Sequence, residues 1–318
     1  IAIIVGYIGI GWINKLFPPA AMGSIITLIG LELAGTAADM AGFPVGGSNS
    51  PTLNVSWVIV SMVTLLTVIL CNVLLRGFLK VIPLLIGVIV GYITSCFMGI
   101  VDFSLVSNAS FFVLPNIKIA HFNINAILTI LPATFVVIAE HVGHLKVTSS
   151  IVGKDFLEDP GLHRSLLGDG LSTIVSGMFG SVPTTTYGEN IGVMALTKIY
   201  SVYIICGAGL ISIILGFSGK MSALIRTIPT PVIGGVSFLL FGTIAVSGLR
   251  TFIEEKVDFS KSRNLILSSV IFIVGISGIT LTMGSFEITG MGLATIVAII
   301  LNLSFIIFDK LGLMNEKE

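Results

Sequence analysis

The amino-acid sequence predicts an all-α polytopic membrane protein, and three observations carry that prediction. Of the 318 residues 54% are hydrophobic and 10% charged, with a mean hydropathy of +1.08, whereas a soluble domain carries about 25% charged residues. Apolar runs near the ~20 residues that cross a hydrocarbon core as a helix recur along the whole chain. The basic residues gather on alternate loops, as they do on the cytoplasmic side of a membrane protein.

In chain order, residues 1–13 read as the tail of a span. The chain opens at Ile1 without a basic n-region and cleavage site, so no signal peptide is recognised, and an N-terminally truncated protein is expected. The run 17–38 begins at Pro18 and holds Glu32; 55–75 and 81–101 are uninterrupted; 124–146 closes with "AEHVGHLK"; 165–182 carries Asp169 near its start. The runs 200–217, 228–249, 264–282 and 291–309 complete the series. Cys71, Cys96 and Cys206 fall in separate runs and form neither a metal nor a disulfide pattern, which leaves them as packing residues. Lys and Arg balance Asp and Glu at 16 each, so net charge points to no nucleic-acid partner.

Between these runs lies "TTTYGENIGVMALTK", residues 184–198. If 183–199 is counted as a crossing, Lys15, Arg76, Lys80, Lys146, Lys154, Arg164, Lys198, Arg250, Lys256, Lys261, Arg263, Lys310 and Lys317 share one side, against Lys118, Lys220 and Arg226 on the other. The crowded side is then cytoplasmic. Without that crossing the alternation fails.

The chain also repeats itself. "FPPAAMGSI" at Phe17–Ile25 resembles "IPTPVIGGV" at Ile228–Val236, pairing Pro18 with Pro229 and Gly23 with Gly234, and the same offset lays 55–75 on 266–286 and 81–101 on 292–312. One copy enters from the cytoplasm and the other from outside. Two halves of opposite orientation are the mark of an inverted-repeat transporter, whose substrate binds near the midplane between broken helices. The second half, from near Asn123, holds seven crossings, so the first half is expected to lack three crossings and part of a fourth.

The broken segment follows from its residues. Pro183 and the β-branched Thr184–Thr186 favour a strand over 184–187. Tyr187-Gly188 allows a bend, and Asn190 is a good N-cap for a half-helix ending at Lys198. Eight helical residues span roughly 12 Å, so this helix would start near mid-membrane, where irregular backbone is tolerated only if buried in protein or lining a cavity. The strand's partner would lie in the missing N-terminal part.

Glu140 and His144 stand four residues apart on one helical face, inside the membrane boundary set by Lys146. Intramembrane ionisable groups are functional candidates by default, which singles out Glu140 and Glu189. His141 points off that face as a helix-contact residue. Glu32 reads as a gate or packing contact, and Asp169 as a helix-start or cytoplasm-facing residue.

The stretch Glu189-Asn190-Ile191-Gly192-Val193-Met194-Ala195-Leu196-Thr197-Lys198 resembles the signature of the nucleobase-ascorbate transporters, and with "AEHVGHL", "DPGLHRS" and "NLIL" it is similar to the uracil permeases of bacteria. The resemblance covers essentially the whole chain. It implies a 7+7 inverted repeat of core and gate domains: the end of a core span at 1–13, gate spans at 14–121, core spans holding the site at 122–219, and gate spans at 220–318. It implies uracil as substrate, a proton gradient in place of any cofactor, and a multi-pass location in the bacterial inner membrane; a homodimer is compatible with it. By position, Glu140 and Glu189 would bind substrate, with Gly188 a backbone donor beside Tyr187 and His144 tuning the site; Glu189, Glu140 and His144 are the proton-coupling candidates. Asn190, Gly192 and Thr197 are the signature residues.

The chemistry agrees with that expectation. Uracil presents two N–H donors that carboxylates can accept, and burial raises a carboxyl pKa so that it can carry a proton. Two other classes were open on the residues alone. An anion transporter of related fold would use a half-helix N-terminus, but an ionised Glu189 would repel its cargo. A metalloenzyme would need the H-E-x-x-H arrangement, which is absent.

Overall fold

A computed structural model describes residues 1–9, 11–45, 52–114, 117–187, 190–191, 194, 198–283 and 286–314. Its described helices are α1 (Ala2–Ile8), α2 (Gly11–Leu16), α3 (Pro19–Glu32), α4 (Ala34–Met40), α5 (Val55–Leu74), α6 (Pro83–Phe97), α7 (Ser104–Asn108), α8 (Ile124–Val152), α9 (Leu162–Met178), α10 (Val202–Gly216), α11 (Gly219–Arg226), α12 (Thr230–Glu254), α13 (Ser262–Ile276) and α14 (Gly290–Lys310). By length and apolar composition Pro19–Met40, Val55–Leu74, Thr230–Glu254 and Gly290–Lys310 can each cross a membrane, and α6, α10 and α13 are shorter apolar helices. The protein is a helical membrane protein.

Local chemistry sets the ends. The Asn54 side chain accepts from the Trp57 N–H to start α5, and Asn123 Oδ1 accepts from the Asn125 and Ala126 N–H groups to start α8, each satisfying donors that a helix leaves orphaned. Pro83 opens α6, where its missing N–H is harmless. Helix α8 closes on Gly153 in the left-handed conformation, φ 76°.

One expectation is corrected. The run 264–282 does not stay helical to its end: α13 stops at Ile276, and Thr280–Met283 pairs antiparallel with Phe286–Thr289. Gly278 with positive φ breaks the helix, and the β-branched and aromatic residues that follow suit a strand.

The chain divides into two compact units. The first comprises Ile1–Glu32, Lys118–Gly188 and Gly242–Glu318. Its larger core packs Phe17, Ala20, Ala21, Ile25 and Leu28 around α3 against Leu267 and Ile271 of α13 and Ala294 and Ala298 of α14. Close approach depends on small residues: a Cβ at Gly248 would meet the Thr27 backbone, and one at Gly275 the Leu28 side chain. Buried Asn302 of α14 donates to the Lys15 and Leu16 carbonyls and accepts from Arg263, so the break before Pro18 is held by a satisfied amide. The second core joins Val5, Ile138, Val142, Leu162 and Leu166 of α1, α8 and α9.

The second unit comprises Leu33–Ile117 and Glu189–Phe241. Here α5, α6 and the first part of α12 pack through glycines: a Cβ at Gly87 would strike Val68, one at Gly91 would strike Thr64, and one at Gly235 the Ser61 carbonyl. Tyr92 Oη and Thr227 Oγ1 lie 2.7 Å apart, joining α6 to the chain two residues before Pro229. In both units, buried hydroxyls such as Ser24, Thr27, Thr64 and Ser95 donate to the carbonyl four residues earlier in their own helix, which satisfies them without water.

Candidate functional site

The α1–α8–α9 core presents two polar faces. On α8, Glu140 and His144 are adjacent one turn apart, with His144 Nε2 4.0 Å from Glu140 Oε1 and side chains 24% and 32% exposed for His144 and Glu140. His144 Nδ1 lies 2.9 Å from Thr186 Oγ1. With the Thr186 hydroxyl donating to Nδ1, the neutral ring carries its proton on Nε2, on the Glu140 side. The histidine thus ties the α8 carboxylate to the segment that leads into Gly188 and Glu189.

That segment, 181–187, has no regular secondary structure and pairs with no strand. Among the described residues, the strand expected over 184–187 is not formed. Side-chain hydroxyls of α9 hold it instead: Ser176 Oγ donates to the Val182 carbonyl at 2.5 Å, Thr173 Oγ1 to the Thr184 carbonyl at 2.9 Å, and Ser172 Oγ lies 2.9 Å from Thr184 Oγ1. Thr184 and Thr186 are partly buried, whereas Thr185 and Tyr187 between and beyond them are exposed.

The same face of α9 continues toward the helix start. Ser165 Oγ is 2.7 Å from His141 Nε2, and Asp169 Oδ2 is 3.6 Å from His141 Nδ1. His141 is only 3% exposed, and among the described residues its Nδ1 has no hydrogen-bond partner, with the Asp169 carboxylate 3.6 Å away. His141 is the helix-contact residue expected of it. Asp169 is not a helix-start residue: it lies in the middle of α9 and faces that histidine.

Glu32 stands apart from these residues. Its Oε2 accepts from the Met291 N–H at 2.9 Å, at the start of α14, and a Cβ at Gly290 (φ 52°) would collide with its carboxylate. It serves as a side-chain cap for α14, a contact rather than a binding group. Gly188, Glu189, Gly192 and Thr197 lie outside the described residues; Asn190 is helical and exposed, and Tyr187 is 58% exposed.

The polar stripe of α9 was missed by the search for charges. Its signal is in the spacing: Ser165, Asp169, Thr173 and Ser176, with Ser172 beside them, recur at three- and four-residue intervals and share one helical face.

Chemically, the arrangement offers a carboxylate acceptor at Glu140, an imidazole that can accept or donate next to it, and backbone held by hydroxyls in the approach to a second carboxylate. Comparison with known proteins identifies a transporter. The Permease family matches residues 1–284. The chain is 56% identical over 317 residues to the uracil permease of Paenibacillus larvae, covering 99% of this chain and 75% of that protein. It is 55% identical over 305 residues to the uracil permease of Escherichia coli K12 (96% and 71%) and 45% identical over 311 residues to that of Bacillus subtilis (95% and 72%).

Proposed function

We propose, from the premise that this chain belongs to the Permease family, that it imports uracil with protons across the inner membrane of a bacterium. The single observation that supports the site assignment is His144, which is hydrogen-bonded to Thr186 in the segment before Gly188 and lies 4.0 Å from the Glu140 carboxylate one turn away on α8. In this reading the two carboxylates accept the ring N–H groups of uracil, and the Gly188 backbone serves a ring carbonyl. Glu189 carries the coupled proton, with Glu140 and His144 as its neighbours in the relay.

The 7+7 inverted-repeat reading, with core and gate domains, is supported by reciprocal packing. Helix α3 packs against α13 and α14, and the start of α12, its repeat counterpart, packs against α5 and α6. The amide of Asn302 at Leu16 and the hydroxyl of Tyr92 at Thr227 occupy corresponding places ahead of the two prolines.

The test is uptake. Radiolabelled uracil supplied to proteoliposomes holding the full-length protein should accumulate under an imposed inward proton gradient, and unlabelled uracil should compete while xanthine does not. Accumulation that ignores the gradient would remove the proton from the mechanism, and the absence of uracil binding would remove the substrate.

A further inference from the structure

Three hydroxyl side chains on α9 are spaced to meet one short stretch of backbone. Ser172, Thr173 and Ser176 lie on one helical face, and among the described residues their partners are Val182 and Thr184. A protonation pattern satisfies the Thr184 contacts without conflict. Thr173 donates to the Thr184 carbonyl, Thr184 donates back to Thr173 Oγ1 at 3.0 Å, and Ser172 donates to Thr184 Oγ1, so each hydroxyl proton is used once. Val182 and Thr184 are two residues apart, and both spend their carbonyls on α9 rather than on a neighbouring strand. On the α8 side, Thr186 is two residues further on and is held by His144. The backbone is therefore held at the carbonyls of 182 and 184, and the side chain of Thr186 is held by His144.

We propose that the α9 hydroxyl row, with Thr173 at its centre, is a positioning device for substrate recognition: it sets the placement of the 182–186 backbone on which the proposed site depends. The inference rests on the transport reading given above for the identity of the ligand. Thr173 does not itself touch substrate. It acts through the 182–186 backbone: a single side-chain bond leaves that backbone free to pivot, whereas bonds at two carbonyls two residues apart fix its direction.

The test compares Thr173→Val, which keeps the shape and removes the hydroxyl, with Thr173→Ser, which keeps the hydroxyl and removes the methyl. Uracil Kd is measured on monodisperse full-length protein, and amide hydrogen exchange is followed in the peptide spanning 182–190. Loss of one such bond is expected to weaken uracil binding by about five- to tenfold in Thr173→Val, with Thr173→Ser within about twofold of the parent on the same scale. Exchange in 182–190 should accelerate in Thr173→Val alone. A merely structural role would lower the melting temperature while leaving Kd of the folded protein unchanged, and that result overturns the proposal. So does equal loss in both variants, which would assign the effect to side-chain volume. If the parent protein fails to bind uracil, the substrate reading falls, and the exchange comparison still decides whether Thr173 pins the segment. Unaltered exchange in Thr173→Val refutes the pinning outright.

Discussion

Replacing Glu140 by Gln removes a charge from the site while leaving its shape. The side chain keeps its length and its one-turn relation to His144, but one carboxylate oxygen becomes an NH2 donor facing a ring N–H. A hydrogen bond to a charged group contributes about 1.5–3 kcal/mol, so Kd for uracil should rise about 10- to 150-fold at 1.4 kcal/mol per decade. The neighbouring histidine supplies a check on that figure. At the 4.0 Å separation of His144 Nε2 and Glu140 Oε1, two full charges would attract by about 4 kcal/mol at an effective dielectric of ~20, an upper bound. Because the side chains of His144 and Glu140 are 24% and 32% exposed, solvent screening brings the expected coupling down toward about 1 kcal/mol. A double-mutant cycle of Glu140→Gln and His144→Gln, read by equilibrium binding of radiolabelled uracil to purified protein, should therefore give a coupling well below the single effect of Glu140→Gln. A Glu140→Gln protein that binds uracil within twofold of the parent would refute the assignment of Glu140 as a substrate acceptor.

Glu189→Gln should separate two properties that the parent joins: uracil binding is weakened but retained, while accumulation driven by a pH gradient in liposomes is lost; accumulation equal to the parent would place the proton elsewhere. Gly91→Ala forces a methyl into Thr64 and Val232 and should cost about 1–3 kcal/mol, seen as a lower melting temperature in detergent, whereas Gly209→Ala, with no neighbour within 4 Å, should leave it unchanged. In the loop between α8 and α9, the Lys154 ammonium, 2.9 Å from Asp159, with Arg164 beyond it, holds the Asp159 carboxyl below its ordinary value of 3.8. A depressed carboxyl pKa stabilises the fold above the ordinary value and the contribution is lost as pH falls through the folded one; Lys154→Met should move the Asp159 titration upward in a carboxyl-carbon NMR experiment.

Much of the fold was legible because membrane spans advertise themselves in one dimension. Helices α5 and α14 fall within a residue or so of their apolar runs, since lipid selects composition and length together. The hairpin after α13 was hidden by the same rule: Ile279, Leu281, Ile288 and their neighbours are as apolar as a helix, and only Gly278 marks the change. At the site, Glu140 and His144 could be read from helical spacing, and the structure sets them together. Asp169 could not be placed, because its meaning depends on His141 from another helix. The hydroxyls of α9 were overlooked for a different reason. Ser and Thr occur throughout membrane helices, most often bonded to their own backbone as Ser24 and Thr64 are, and only the spacing along α9 sets apart the ones that reach out to another segment.

The packing of α3 has a consequence during synthesis. Its partners α13 and α14 begin some 240 residues later in the chain, a delay of about 12–50 s at ~5–20 residues per second. For that interval α3 resides in lipid, or beside whatever insertion machinery receives it, without the surface that will cover it. Its residues suit the wait. Ser24 and Thr27 have their hydroxyls closed onto the Ala20 and Gly23 carbonyls, so neither presents an unsatisfied donor to hydrocarbon. The ribosome can thus release a helix whose buried hydroxyls are satisfied alone and whose covering surface arrives only with the last fifth of the chain.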